Sequence, residues 1–147
     1  MPSTVKNARG TATEAIATAS LNSMANNTNV LGSAISLTSG EPGYRFCEAE
    51  LVVTFGSSPT ANTSFCCWLL REIDGTNYED GGTSVTPTRP PDLIFTVRAV
   101  TTAQRLIAVC DMPPSSIFKA LLRNDGTGQA IASSGNTLKL RPFTEQF

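Results

Sequence analysis

The alternation of apolar and polar residues dominates the chain from residue 43 onward, and it predicts β-strands. Between Arg45 and Phe55, apolar residues recur at every second position, with glutamate and threonine between them. A period of two is typical of a strand with one buried face. Ser64 to Ile73 is apolar on both faces. It is predicted to be a central strand whose outer face is either covered by the chain or in contact with a partner.

Shorter strands are predicted further along, separated by segments rich in Gly, Pro, Asn and Ser. They cover residues 93–100, 105–111, 116–123, 129–132 and 137–141. Seven or eight short strands without a strong amphipathic helix predict an all-β fold. We expect an antiparallel β-sandwich that is jelly-roll-like and carries an extended N-terminal arm, with an immunoglobulin-like sandwich as the alternative. The spacing of cysteines around the single tryptophan does not fit a true immunoglobulin domain.

The composition changes near residue 40, which divides the chain into an N-terminal segment (1–40) and a sandwich domain (41–147). The first 40 residues are rich in Ala, Ser, Thr and Asn and would bury little by themselves. This segment is therefore either an extended arm that docks on something else or a pair of weak edge strands. A helix from Thr13 to Met24 is a further alternative, because alanines recur there, but Thr and Ser within it disfavour the helix. Its larger apolar residues are candidate interaction residues: Leu21, Met24, Val30 and Leu31.

Charge and composition narrow the function classes. The 147 residues carry 11 basic and 12 acidic side chains, a net charge of −1, so a strong nucleic-acid binder is not expected. The apolar runs are strand-sized, and charged residues interrupt the first 21 positions, so neither a membrane span nor a signal peptide is expected. The chain contains no histidine, which excludes a Ser-His-Asp triad and histidine-containing zinc sites.

Four cysteines, Cys47, Cys66, Cys67 and Cys110, lie within apolar stretches and form no C-x-x-C pair. We expect them to be reduced, buried and packed as small hydrophobic residues. The alternative is a disulfide from Cys47 to Cys67 or to Cys110, which a cytosolic redox state would disfavour.

Three further groups could carry chemistry. Glu48 and Glu50 share one strand face, as paired glycosidase acids might, but a polar outer face explains them better. The loop from Asp74 to Gly82 concentrates oxygen ligands without the EF-hand spacing, so a hairpin loop is expected rather than a metal site; binding of calcium or a glycan there stays open. Tyr78 in this loop is the aromatic residue expected to be exposed. No nucleophile elbow or phosphate loop occurs, so neither an enzyme nor a cofactor is predicted.

Three segments, taken in order, resemble small structural proteins of tailed bacteriophages. Thr18-Ala-Ser-Leu-Asn-Ser-Met-Ala-Asn-Asn-Thr-Asn29 is similar to the opening of these proteins. Asp74-Gly-Thr-Asn-Tyr-Glu-Asp-Gly81 is similar to a loop that follows an apolar strand in them. The segment Phe118–Ala130, with Asn136-Thr-Leu-Lys-Leu140, is similar to their closing strands. The resemblance implies a β-sandwich component of the virion, either a capsid decoration (cement) protein or a neck, collar or tail accessory protein, without catalytic residues.

The resulting hypothesis is a non-enzymatic virion protein, assembled in the bacterial host cytoplasm, that binds and stabilises the capsid shell. Its expected partners are the major capsid protein or neck and tail proteins, and further copies of itself; no nucleic acid, membrane or cofactor is expected. Arginine outnumbers lysine eight to three, which suits protein interfaces. If the outer face of Phe65–Leu70 is uncovered, Trp68 would lie in the oligomer contact. A carbohydrate-binding module that uses Tyr78 is the alternative from another class.

Overall fold

The computed structural model describes residues 6–37, 43–113 and 117–146, and these form nine strands and one short helix. In chain order the elements are β1 (Lys6–Arg9), β2 (Thr13–Ile16), α1 (Thr18–Leu21), β3 (Asn29–Ser36), β4 (Phe46–Val53), β5 (Ser64–Arg71), β6 (Leu93–Thr96), β7 (Gln104–Asp111), β8 (Ile117–Asp125) and β9 (Thr137–Gln146). Within the described ranges, no helix is long and apolar enough to cross a membrane.

The strands form two antiparallel sheets that pack face to face. Sheet A has the order β1/β2-β9-β4-β7, because β1 and β2 both pair with β9, and sheet B has the order β3-β8-β5-β6. The pairing is nested: β5 pairs with β6, β4 with β7, β3 with β8 and β2 with β9. A long antiparallel hairpin wrapped into two sheets has this pattern, and it is the jelly roll. The predicted all-β, jelly-roll-like sandwich is confirmed.

The core lies between the sheets and is built from the inward-facing positions of the strands. The alternation predicted for residues 45–55 holds in β4, where every second residue from Cys47 to Val53 is buried. Phe65 and Phe118 from sheet B pack into the same cluster, as do Leu138 and Leu140 from β9. The apolar alternation read in the sequence is therefore what joins the two sheets.

The strand predicted at residues 129–132 and the alternative helix from Thr13 to Met24 do not form. Residues 13–16 form β2 rather than the start of a helix, and only Thr18–Leu21 is helical. Pairing of β2 with β9 supplies hydrogen bonds and burial that outweigh a weak local helix preference. Residues 129–132 form no strand; Ile131 makes one isolated bridge to Phe55.

The N-terminal segment is paired with later strands along its described part. β1 and β2 form one edge of sheet A, and β3 forms one edge of sheet B. Of the two alternatives left by the sequence, edge strands apply to residues 6–37, while residues 1–5 and 38–40 lie outside the described residues. Ile16, Leu21 and Met24 are buried in the main core, so this segment completes the sandwich rather than extending from it.

At the end of the sandwich where β5 begins, buried asparagine side chains form hydrogen bonds with the backbone of the segments that connect the strands. Asn136 is fully buried; its Oδ1 accepts the Thr54 N–H at 3.0 Å, and its Nδ2 donates to the Ala132 carbonyl at 2.7 Å. Asn124 donates to the Gln129 carbonyl at 2.9 Å. These side chains satisfy backbone groups that no strand ladder reaches.

All four cysteines are free thiols in the structure. Cys47 and Cys67 are buried, as expected, whereas Cys66 and Cys110 are only half-buried. Burial raises the pKa of the Cys67 thiol, and a hydrogen bond with Cys110, with burial added to it, raises the pKa of Cys47. Cys47 and Cys110 are direct cross-strand partners on β4 and β7.

Candidate functional site

The connection between β5 and β6, residues 72–92, is the longest irregular segment within a continuously described range, and it lies over the outer face of sheet B. We call it the strap. Connections longer than about 12–15 residues without secondary structure of their own are uncommon in compact domains and usually functional or disordered. This one is held at several points by the sheet beneath it. It is therefore the first candidate for a functional surface.

The strap covers a small second core on the outer face of sheet B. Trp68, Leu70 and Leu121 are buried there, and Tyr78 from the strap packs against them. The indole N–H of Trp68 donates to the Arg89 carbonyl of the strap at 2.9 Å. The strap comes so close that a Cβ on Gly81 would lie 2.9 Å from Leu70 Cδ1. The chain's own strap thus covers the face that the sequence left open to a partner.

Two arginines and two carboxylates anchor both ends of the strap to β5. Glu79 Oε1 lies 2.6 Å from Arg71 Nε, and its Oε2 lies 2.7 Å from Arg89 Nε. Arg89 Nη1 also reaches Asp92 Oδ1 at 2.9 Å, and Asp92 Oδ2 accepts the Leu69 N–H at 2.7 Å. This network ties residues early and late in the strap to one strand. It therefore attaches the strap to β5 at two separate points.

The electrostatics of this network favour the charged forms. Partial burial alone would raise the pKa of the Glu79 carboxyl, but hydrogen bonds from Arg71 and Arg89 hold it below its ordinary value. Burial likewise would lower the pKa of Arg89, yet hydrogen bonds to Glu79 and Asp92 raise it above its usual range. Each charge is stabilised by its opposite, which is typical of a structural ion-pair network.

The middle of the strap is held by sheet B at a second point. Asn29 Nδ2 on β3 donates to the Gly82 carbonyl at 3.1 Å and to Thr86 Oγ1 at 3.0 Å. Arg123 on β8 supports Asn29, because its Nη1 donates to Asn29 Oδ1 at 3.2 Å. The strap therefore crosses the outer face from β5 to β3 before it returns to β6.

The first turn of the strap, residues 72–78, forms its exposed tip. Ile73 is 100% exposed, although it lies only two residues beyond the end of β5. Asp74 Oδ1 accepts the N–H groups of Thr76 at 2.9 Å and Asn77 at 2.7 Å, and these hydrogen bonds lower the pKa of the Asp74 carboxyl to about 2. This is an Asx turn, the hairpin chemistry expected from the sequence. An open cleft of about 790 Å³ lies beside it, and its lining includes Ile73, Asn77 and Tyr78.

The structure brings only part of the predicted interaction set to the strap. Trp68 is buried beneath it, and Leu31 packs beside the same cluster. Tyr78 is half-buried, and the Lys119 ammonium lies 4.3 Å from its ring centroid, so the expectation of an exposed ring is wrong. The apolar surfaces of these residues face their own chain.

The other predicted interaction residues belong to the main core. Leu21 and Met24 are buried in it, and Val30 packs against it from β3. Leu21 has no exposed surface to offer a partner. The sequence suggests these large apolar residues as partner contacts because the segment around them is polar. In the structure they instead pack this segment into the core of the sandwich.

The two glutamates considered as paired acids are both neutralised by arginine. Glu48 on β4 pairs with Arg141 on β9, and Glu50 Oε2 lies 2.6 Å from Arg105 Nη1 on β7. These pairs run across the outer face of sheet A and explain its charges as cross-strand partners. No group of three or more His, Cys, Asp or Glu within residues 6–37, 43–113 and 117–146 could hold a metal ion.

The exposed apolar residues of the surface were missed by sequence reasoning. Ile73 was placed inside a strand, although the Asp-Gly turn that follows it signals a strand end. The strand predicted over residues 105–111 contains Ile107 and Val109, and its local pattern does not show that both side chains are exposed. The sequence does contain one indication of this exposure. β7 is apolar at five consecutive positions and therefore on both faces, whereas one face of an antiparallel edge strand is usually polar and in contact with solvent.

No protein-family model matches this chain, and no curated protein is similar enough to be matched.

Proposed function

We propose that this chain is a non-enzymatic structural protein of a tailed-phage virion, which binds the capsid shell and stabilises it as a decoration protein. The jelly roll is the observation that carries the proposal, since this fold recurs in viral capsid and lectin domains. The resemblance of three segments to small phage structural proteins points to the same class. Placement at the neck, collar or tail is the alternative within this class.

The strap tip is the surface that we assign to the shell contact. It combines a fully exposed Ile73 with an open cleft, on a loop that ion pairs hold in place. A loop that is ordered before binding loses less conformational entropy when it docks. A ligand that binds only the assembled shell stabilises that shell by mass action, so no chemical step is required.

The first test is the copy number of this chain in purified particles of the phage that encodes it, by quantitative mass spectrometry against the major capsid protein. A number comparable to that of the shell subunit supports a decoration protein. A number near the symmetry of the neck or tail supports the alternative placement. Absence from the particle contradicts the proposal and leaves glycan binding as the function to test.

The second test uses particles assembled without the chain, to which purified protein is added. We expect Ile73→Asp to reduce the bound copies and the gain in thermal stability of the shell. Ile94→Asp is the matched control, because Ile94 is also exposed but lies on β6, away from the tip. Equal binding of the native chain and the Ile73 variant would show that the shell contact lies elsewhere.

A glycan-binding role predicts a different result. The Tyr78 ring is covered by the Trp68 cluster and by Lys119, so it offers little free face for stacking on a sugar. Retention of the chain on immobilised glycans, lost in a folded Tyr78→Ala variant, would favour that role over ours.

A further inference from the structure

Strand β7 is one edge of sheet A, and its apolar side chains are incompletely covered on both faces. On the outer face, Ile107 is 59% and Val109 is 55% exposed. On the inner face, Leu106, Ala108 and Cys110 are only partly buried, although their direct partners on β4 are completely enclosed. The core is therefore open along this edge.

The other three sheet edges carry features that block further pairing, and β7 carries none of them. The β1/β2 edge is split into two four-residue strands with a register shift between Glu14 and Ile16. β3 has a register shift between Leu31 and Ala34, and β6 has only four residues. β7 has eight residues in continuous register with β4 and contains no Pro, Gly or Lys. Such an edge is suited to pairing with another strand.

The direction of the backbone groups of β7 follows from its ladder with β4. The Met112 N–H donates to the Arg45 carbonyl at 2.8 Å, one step beyond the end of the strand. Because hydrogen-bonded pairs alternate in an antiparallel ladder, the even-numbered residues of β7 point their N–H and C=O groups toward β4. The odd-numbered residues, from Arg105 to Asp111, point theirs away from the sheet.

The sequence of β7 is complementary to itself when two copies run antiparallel about Ala108. In that register Arg105 lies opposite Asp111 of the second copy, and Ile107 lies opposite Val109. Both pairs occur twice and stand on the outer face. The opposed residues are the odd-numbered ones, whose backbone groups point outward, so the register also satisfies the hydrogen-bonding geometry. Opposite charges and apolar side chains face each other across the whole strand.

We propose that two copies of this chain associate through β7, with a two-fold axis at Ala108 that joins two A sheets into one continuous sheet. A self-complementary patch is what a two-fold symmetric dimer requires. Arg105 can join this contact while it pairs with Glu50, because its side chain is 66% exposed and a guanidinium has five donors. Association of the chain with itself needs no shell, so its test is independent of the proposed virion role.

Reversal of one charge of the pair tests the register. Asp111→Arg sets two arginines against each other at both ends of the interface, and Arg105→Asp sets two aspartates against each other. We expect the native chain to be a dimer by sedimentation equilibrium, and each variant to dissociate roughly tenfold more readily. An equimolar mixture of the two variants restores opposite charges at every position, so we expect it to form a heterodimer.

Asp80→Arg is the matched control, because it makes the same charge change at an exposed position of the strap. We expect it to dimerise like the native chain. A monomeric native chain, or an Asp111 variant that dimerises as well as the control, would overturn the proposal.

Amide exchange locates the contact and does not depend on the folding of a variant. In the native chain we expect the Ile107 and Val109 amides to exchange slowly at high concentration and rapidly on dilution. Amides that exchange rapidly at every concentration would place any dimer interface elsewhere and overturn the proposal.

Discussion

At the scale of single residues, Glu79 determines how firmly the strap is held. Its two carboxylate oxygens contact two different arginines, one on β5 and one near the far end of the strap. A glutamine at this position keeps the shape but removes the charge and one acceptor. Hydrogen bonds to charged groups contribute more to folding stability than those between neutral groups. We therefore expect this one side chain to affect how well the whole strap, 21 residues, is ordered.

The lowered pKa of Glu79 predicts a specific pH dependence. The folded state holds the carboxyl in its charged form, so this stabilisation is complete above the ordinary pKa of about 4.3 and is lost as the pH falls toward the lower folded value. We expect Glu79→Gln to reduce the free energy of unfolding by about 1–2 kcal/mol at neutral pH. The difference from the native chain should shrink below about pH 4.3.

Thermal unfolding of both proteins across this pH range measures that difference. Asp74, whose pKa is lowered to about 2, is also protonated at acid pH, but to the same extent in both proteins. Its contribution to the free energy of unfolding therefore cancels in the comparison. Two curves that stay parallel down to acid pH would contradict the role of Glu79.

At the scale of elements, the strands with clear alternation were predictable and the connections were not. In β4 and β9, apolar and polar residues alternate because one face of each strand packs on sheet B. This alternation can be recognised within the strand's own residues. The alternative of a helix at residues 13–24 does not hold, because the choice between helix and strand there depends on β9, more than 100 residues away. The strap covers Trp68 through contacts of Tyr78 and Arg89, which follow it later in the chain, and the alternation of β5 does not predict these contacts.

The absence of a side chain at Gly32 allows β2 and β3 to approach each other closely. Gly32 lies in β3 where the register shifts, and β2 passes so close that a Cβ on Gly32 would lie 2.2 Å from the Ala15 carbonyl oxygen. We expect Gly32→Ala to lower the free energy of unfolding by about 1–3 kcal/mol, because the backbone of β2 must move.

Gly56→Ala is the matched control for that change, since a Cβ there would meet nothing within 4 Å. We expect it to leave stability unchanged or to raise it slightly, through a less flexible unfolded chain. Chemical denaturation of the two variants measures both effects. If they unfold at the same denaturant concentration, the approach of β2 to β3 is looser than the structure indicates.

At the scale of the whole molecule, the nested pairing joins the described part of the N-terminal segment to the last strand of the chain. The innermost hairpin, β5 and β6, is closed by β4 and β7, then by β3 and β8, and last by β2 and β9. The outermost pair therefore depends on residues from the two ends of the chain. A division near residue 40, suggested by composition, does not separate these pairings.

Removal of residues 1–28 tests this directly. The truncation takes away β1, β2 and α1, and with them the buried side chains of Ile16, Leu21 and Met24. It also exposes the edge of β9 and opens the core at the end near α1. We expect the truncated chain to lose cooperative thermal unfolding and to bind a dye for exposed apolar surface.

A milder change in the same segment keeps the test quantitative where the truncated chain aggregates. Leu21→Ala leaves every strand in place but creates a cavity at a fully buried position, which costs about 2–5 kcal/mol. If instead the truncated chain melts cooperatively near the native temperature and the Leu21 variant is unaffected, residues 1–28 are dispensable for folding. They would then be free to act as the arm that the composition of the sequence also allowed.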